Sequence, residues 1–247
     1  LKEVDTEYVL QSSNDDFYSS SNIQKNINFL EKNIQYCCSR SEIYDFTVDS
    51  YYEVSGTFKL SGKIYNEKCF NDDDSFRRVK SYTKSFNSLW HDIVRTKAML
   101  FSWESLYKNK IFFFPFQDIY LSFILVIFGK INRLEGIYML HQNHEEMLAR
   151  DKAYGTITEF INNGNLNYLS LTIDSIASEI INLNQNSDSQ FIKASIYRAF
   201  VEDFILKAIK NEKITDVVFI KKLKISVKTI LSSNKFTYLI LNLYRLI

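Results

Sequence analysis

Two adjacent carboxylates, Asp15 and Asp16, stand in the polar run Ser13-Asn14-Asp15-Asp16-Phe17, directly after the apolar, β-prone segment Tyr8-Val9-Leu10. Carboxylates on a loop at a strand end can reach a divalent cation, a hard charge that takes oxygen ligands and can bridge the phosphates of a nucleotide. The same residues equally suit an Asx turn that caps the following helix. A second acidic run, Asn71-Asp72-Asp73-Asp74, follows no strand and precedes the amphipathic segment Phe76 to Tyr82. It reads as the acidic N-terminus of a helix, stabilised by the helix dipole. Asp118 opens an apolar stretch after Pro115, where a helix cap or first-turn acid is the plain account. Two of the three His, His141 and His144, lie within four residues of each other. Other chemistries lack their motifs, since the chain contains no GxSxG elbow, P-loop, CxxC pair or HExxH.

These side chains need elements to hold them. Tyr8-Val9-Leu10 reads as a buried strand that stops at the polar cluster Gln11 to Asp16. From Ser21 the apolar positions Ile23, Ile27, Phe29 and Leu30 recur at helical spacing, with Ser19 to Ser21 offering N-cap oxygens. Ile34 to Cys38 and Ile43 to Val54 favour strands, and Ser55 to Lys63, with two Gly, suggests a hairpin or a loop crossing. The pattern predicts a helix over Asp72 to Lys84, a strand over Leu89 to Val94, and a helix capped by Thr96 that runs to about Asn109. A further helix is expected from near Gln117 to Phe128, ended by Gly129, with a strand over Ile131 to Leu140. Beyond Asp151 the spacing is helical throughout, at Ile157, Phe160 and Ile161, at Leu169, Ile173, Ile176 and Ile180, and at Ile192, Ile196, Phe200, Phe204 and Ile205. Asn184 to Gln190 is the most linker-like segment. The expected organisation is an α/β region over residues 1–148 and a helical module over 149–247.

Composition bounds the rest. A content of 46% hydrophobic and 24% charged residues in 247 can bury a core of ordinary size. Twenty Phe and 16 Tyr against 6 Gly and 1 Pro leave little room for the turns of an all-β sandwich or barrel. With 30 basic and 29 acidic residues, no whole-protein field draws in nucleic acid. Cys37, Cys38 and Cys69 form no even disulfide framework, so a reducing cytoplasm is expected. The apolar stretch Ile111 to Phe128 is broken by Pro115, Gln117 and Asp118, short of the roughly 20 residues a spanning helix needs. Leu1 to Leu10 lacks the pattern of a signal peptide, and the start at Leu1, without an initiator Met, reads as the inside of a longer protein. Lys221, Lys222, Lys224 and Lys228, ahead of Phe236 to Ile247, could lie on an anionic membrane surface or form a solvated helix face.

The run from Thr6-Glu7-Tyr8-Val9-Leu10 through Asp15-Asp16-Phe17 to Asn28-Phe29-Leu30-Glu31 and Asn33 resembles a region of bacterial GT-A glycosyltransferases of the family-2 type. There, "TxYVL…DDDDF" is followed by a helix ending "FLExN". Leu89 to Thr96 is similar to the family's "FYAVHRT" segment, and Gln117-Asp118 stands where an acidic pair opens a Leu-rich helix. Gly129-Lys130-Ile131 with Leu134 to Tyr138 is similar to the family's "GK…L…Y" link into a returning strand.

The resemblance covers about residues 1–147 in broken motifs. It implies a partial GT-A (Rossmann-like) α/β core with a mixed sheet, lacking the N-terminal half that holds the nucleotide base. The implied activity is a metal-assisted, inverting transfer of a sugar from a nucleotide-sugar donor to a glycan or lipid-linked acceptor, with no nucleic acid involved. Asp15 and Asp16 would hold Mn or Mg, with Ser13, Asn14 and His144 near the donor diphosphate and His141 where a basic Arg is usual. Trp90, His91, Asp92 and Gln117 would line the acceptor pocket, and Asp118 would take the proton from the acceptor hydroxyl. The chain departs from the pattern where Ser13, Asn14 and Gln117 replace acids. A buried Trp with flanking surface groups accounts equally for Trp90 and its neighbours. The contrasting reading is a non-catalytic helical interaction protein whose Asn, Asp and Ser clusters are only caps and loops.

Overall fold

The computed structural model describes residues 4–48, 58–63, 68–112, 114–142 and 166–183. The chain divides into two compact units, Leu1–Ala153 and Tyr154–Ile247. Among the described residues the first unit is mixed α/β, in the order β1 (Tyr8–Leu10), β2 (Phe17–Tyr18), α1 (Ser20–Lys32), β3 (Tyr36–Val48), β4 (Phe58–Lys63), α2 (Ser75–Lys84), β5 (Ile93–Arg95), α3 (Thr96–Lys108), α4 (Phe114–Phe128) and β6 (Lys130–Gln142). The second unit contributes α5 (Leu166–Leu183).

The six strands form one mixed sheet in the order β1-β5-β3-β6-β2, with β4 paired to β3. β3 and β6 run parallel, and the other pairings are antiparallel. Where the sequence pattern reads two strands, over Ile34 to Cys38 and Ile43 to Val54, a single strand β3 runs through Ser39-Arg40-Ser41-Glu42. Its polar residues survive burial because they find partners. Ser39 Oγ donates to Asn26 Oδ1 at 2.6 Å, Asn26 Nδ2 donates to Ser41 Oγ at 2.9 Å, and Asn132 Nδ2 donates to Ser39 Oγ at 3.2 Å. A fully satisfied buried network of this kind fixes α1 in one position over β3 and β6.

Between the pairs Arg40↔Arg133 and Glu42↔Ile137, β6 spends three residues against Ser41 alone, which is a bulge. Gly136 sits in it at φ 106, and a Cβ there would meet Asn22 Oδ1 at 3.0 Å. Only glycine adopts that backbone freely while α1 approaches so closely.

The helices begin where side chains can take their first N–H groups. Ser19 caps α1 by accepting from Asn22 N, and Asp74 caps α2 by accepting from Arg77 N at 2.7 Å. The run Asp72 to Asp74 is thus a helix start, with Asp73 paired to Lys130 at 2.6 Å. α4 begins at Phe114 rather than near Gln117, since Pro is tolerated in the first turn of a helix. Its residues Tyr120, Leu121, Phe123, Ile124, Leu125, Val126 and Ile127 are all buried, as suits a helix apolar on every side. Each fully buried Leu, Ile or Phe contributes roughly 1.5–3 kcal/mol. The end of α4 is closed by Arg78, whose Nε and Nη2 each donate at 2.8 Å, to Val126 O and Ile127 O.

Thr96 does not cap α3, contrary to expectation. Its hydroxyl donates to Thr6 O at 2.6 Å and ties the entry of β1 to β5. In α5 the buried positions Ile173, Ile176, Ala177 and Ile180 follow helical spacing, as expected for this segment. The boundary expected at 148/149, the helical runs at Ile157 to Ile161 and Ile192 to Ile205, the linker at Asn184 to Gln190, the basic stretch Lys221 to Lys228 and His144 lie outside the described residues. Among the described residues no helix is long and apolar enough to cross a membrane.

Candidate functional site

The loop Gln11 to Asp16 joins β1 to β2, which occupy opposite ends of the strand order. It must therefore cross the ends of β5, β3 and β6 that lie between them. The register decides what it meets. Leu10 pairs with Ile93, so the turn ahead of β5, with His91, lies beside the start of the loop. Phe17 pairs with Leu140, so His141 lies beside its end. Asp45 of β3 is the register partner of His141 on the parallel strand β6. This is the carboxyl end of the parallel pair, the edge at which open α/β sheets take their ligands.

The geometry follows from that placement. His141 Nδ1 lies 2.7 Å from Asp16 Oδ1, in an ion pair whose Asp16 side chain is 0% exposed and whose His141 side chain is 20% exposed. The bond to Asp16, with the charges of Asp16, Asp45 and Asp15, raises the His141 pKa above its usual value against the opposing effect of burial. Asp16 Oδ2 is buried and has no hydrogen-bond partner, and so is Asp45 Oδ1. A buried carboxylate oxygen left unpaired costs on the order of 1–3 kcal/mol, and native structures leave few of them. Burial also raises the Asp45 pKa, with the charge of Asp16 adding to the rise and that of His141 opposing it.

His91 holds the loop from the other side. Its Nδ1 lies 3.3 Å from the Tyr18 hydroxyl, and its ring also hydrogen-bonds the backbone of Gln11. Its pKa is lowered, first by burial and then by His141 and Arg40, although Asp16 opposes this. The two imidazole rings stand 6.1 Å apart. His91 thus spans the residues on either side of the acidic turn, which gives it a positioning task besides the acceptor contact expected of it.

A second polar network lies under the first. Arg40 and Arg133, register partners on β3 and β6, share the carboxylate of Asp92, at 3.2 Å from Arg40 Nη1 to Oδ1 and 2.7 Å from Arg133 Nη1 to Oδ2. All three side chains are buried. Asp92, expected at an acceptor hydroxyl, is instead the shared anion of two arginines. The strand expected over Leu89 to Val94 begins only at Ile93, because Ser88 to Asp92 is a turn whose backbone is taken by side chains. Leu89 N donates to Ser122 Oγ at 3.0 Å, Trp90 N to Ser88 Oγ at 3.1 Å, and Tyr138 OH to His91 O at 3.1 Å.

Asp118, on α4, bonds to the same turn. Its Oδ1 accepts from Ser88 Oγ at 2.7 Å and from Ser122 Oγ at 3.4 Å, while Ser88 O accepts from Arg40 Nη1 at 3.0 Å. Burial raises the Asp118 pKa, and the two serine bonds oppose it. The turn Ser88 to Asp92 therefore joins Asp118, the arginine pair and, through His91, the acidic loop in one connected network. Of the other expected residues, Trp90 is half-buried and Ser13 lies in the loop. Asn14 is exposed, and Gln117 donates to Phe112 O at 3.3 Å.

A divalent cation, implied by the resemblance, fits the orphan oxygen of Asp16, which is a hard donor in a buried place. Among the described residues no three His, Cys, Asp or Glu side chains converge closely enough to close a metal shell by themselves. Sites for Mg-like ions often use one or two carboxylates and take the remaining oxygens from phosphate and water. The reading from sequence missed Asp45, Tyr18, Arg40 and Arg133. The available signal was a charge inside a β-prone apolar run, as at Asp45 between Tyr44 and Phe46. No family model, curated protein or solved structure matches the chain.

Proposed function

We propose that this chain is the catalytic part of a nucleotide-sugar-dependent glycosyltransferase of GT-A type that transfers a sugar, with inversion, to a glycan or lipid-linked acceptor. One observation carries the reading. The acidic turn crosses the carboxyl end of the parallel strands with Asp16 buried, one oxygen held by His141 and the other without a partner. Mn or Mg bound there would neutralise the charge on a departing nucleoside diphosphate.

Asp15 and Asp16 would serve as its protein ligands, Ser13 and Asn14 would flank the diphosphate, and His144 would assist there. Trp90 and Gln117 face the acceptor, and His91 fixes the loop. Asp118 is the base. Both of its serine bonds fall on Oδ1, which leaves Oδ2 to take the acceptor proton, and a carboxylate whose pKa is raised by burial is the stronger base.

Thermal unfolding with uridine and guanosine diphosphates, with and without Mn, tests the reading. A ligand at a hundred times its Kd that binds only the folded state adds about 2.7 kcal/mol. For a unit of this size that raises the melting temperature by roughly 5–11 °C. The reading expects such a rise only with Mn present. No rise with any nucleotide favours the non-catalytic interaction protein.

A further inference from the structure

We propose that Asp45 on β3 takes the ligand position that the acidic turn alone would give to Asp15, so that the ion sits between Asp16 on the crossing loop and Asp45, with His141 positioning Asp16. The inference deepens the transferase reading and rests on it for the phosphate oxygens that complete the shell.

Asp16 Oδ2 and Asp45 Oδ1 are both buried and both without a hydrogen-bond partner. Both carboxylates are organised around one imidazole. Asp16 is bonded to His141 Nδ1 at 2.7 Å, and Asp45 is opposite His141 in the β3–β6 register. The charge of Asp16 reaches Asp45, so two negative groups lie near each other with one oxygen of each shut off from water. Such gathering is unfavourable unless a cation offsets it. His141 acts as the hydrogen-bonding groups behind ligating carboxylates do, orienting Asp16 rather than binding the ion. Its bond to Oδ1 leaves Oδ2 as the oxygen of Asp16 without a partner.

The test is a titration of the whole chain with Mn in the absence of nucleotide, following the electron paramagnetic resonance signal of the free ion. The wild type is expected to take up one ion, and Asp16→Asn and Asp45→Asn each to weaken binding at least tenfold. His141→Phe is expected to weaken it, while His141→Asn, which keeps a donor near the Nδ1 position, restores most of the affinity. Asp73→Asn, in the exposed acidic run paired to Lys130, should bind as the wild type does.

Melting temperatures separate ligation from folding. Asp45→Asn should be at least as stable as the wild type in Mn-free buffer, and should lose the rise that Mn gives. Unchanged Mn affinity in Asp45→Asn, no uptake by the wild type, or a loss of stability in metal-free buffer overturns the proposal. A chain that binds Mn through Asp45 but binds no nucleotide keeps this site and loses the transferase reading. Nucleotide binding with an unaffected Asp45→Asn variant does the reverse.

Discussion

Asp92→Asn should be among the most destabilising single changes in the first unit, and its size follows from the geometry. The Asp92 carboxylate lies 2.7 Å from Arg133 Nη1 and 3.2 Å from Arg40 Nη1, and the side chains are 0, 3 and 0% exposed. The amide keeps the shape and removes the charge that two buried guanidinium groups share. Removing one member of a buried ion pair costs about 3–5 kcal/mol, because the remaining charge stays desolvated. At about 2–4 °C per kcal/mol the melting temperature should fall by roughly 6–20 °C. With a urea m-value of about 2 kcal/mol/M, the midpoint should fall by roughly 2 M.

The assay is urea unfolding followed by tryptophan fluorescence, with an unchanged slope as the sign that only stability has moved. Arg133→Met added to Asp92→Asn should cost less than Arg133→Met alone, because the arginine has already lost its anion. A midpoint shift below about 0.5 M, or strictly additive effects, would refute the claim that this carboxylate holds the two strands' arginines in place.

Asp118→Asn is expected to abolish sugar transfer while nucleotide affinity stays within about twofold, since a base acts on the acceptor proton and not on the donor. Turnover assays beside calorimetric titration check it. Asp16→Asn should remove the Mn-dependent part of nucleotide stabilisation in thermal unfolding. Gly129→Ala should cost about 1–3 kcal/mol in urea unfolding, because the new methyl would stand 2.7 Å from Cys37 Cβ.

The two clustered histidines should titrate in opposite directions from the ordinary value of about 6.5 in proton NMR, with His141 above it and His91 below. His141 binds its proton more tightly folded than unfolded. Its contribution is therefore full below about pH 6.5 and fades as pH rises through its folded pKa. His91 has the opposite sign, and burial of its neutral ring costs stability as pH falls below about 6.5. The stability difference between wild type and His141→Asn should accordingly shrink as pH rises from below 6.5.

Local patterns carried most of the element order. The helical spacing of Ile23, Ile27 and Leu30, the Ser19 cap, and the apolar run ending at Gly129 all correspond to α1 and α4 as found. What escaped is tertiary. No local rule joins Ser39-Arg40-Ser41-Glu42 into a strand, since Ser39, Arg40 and Ser41 find partners in Asn26, Asn132, Ser88 and Asp92, distant in sequence. The turn at Ser88 to Asp92 looked like a strand because its hydrogen bonds to Ser122 and Asp118 cannot be read from its own residues.

For the candidate site, local pattern reaches only single elements. Asp15 and Asp16 stand after a strand as their sequence context implies, whereas Asp118, expected at a helix start, lies beyond the first turn of α4 and bonds Ser88 and Ser122. The strand order that carries their loop across β5, β3 and β6, and so brings Asp45, His91 and His141 to it, is a property of the sheet. Asp92 was drawn toward the pocket by its neighbours Trp90 and His91, whereas burial between two arginines takes it out of reach.

The most direct measurement is a crystal structure of the chain with Mn and a nucleoside diphosphate, read through the anomalous signal of the metal. The account predicts one ion in direct coordination with Asp16 Oδ2, at roughly 2.0–2.6 Å, touching the diphosphate on its other side and leaving the His141 bond to Oδ1 in place. Nucleotide bound elsewhere on the molecule, or an ion that avoids Asp16, would contradict it.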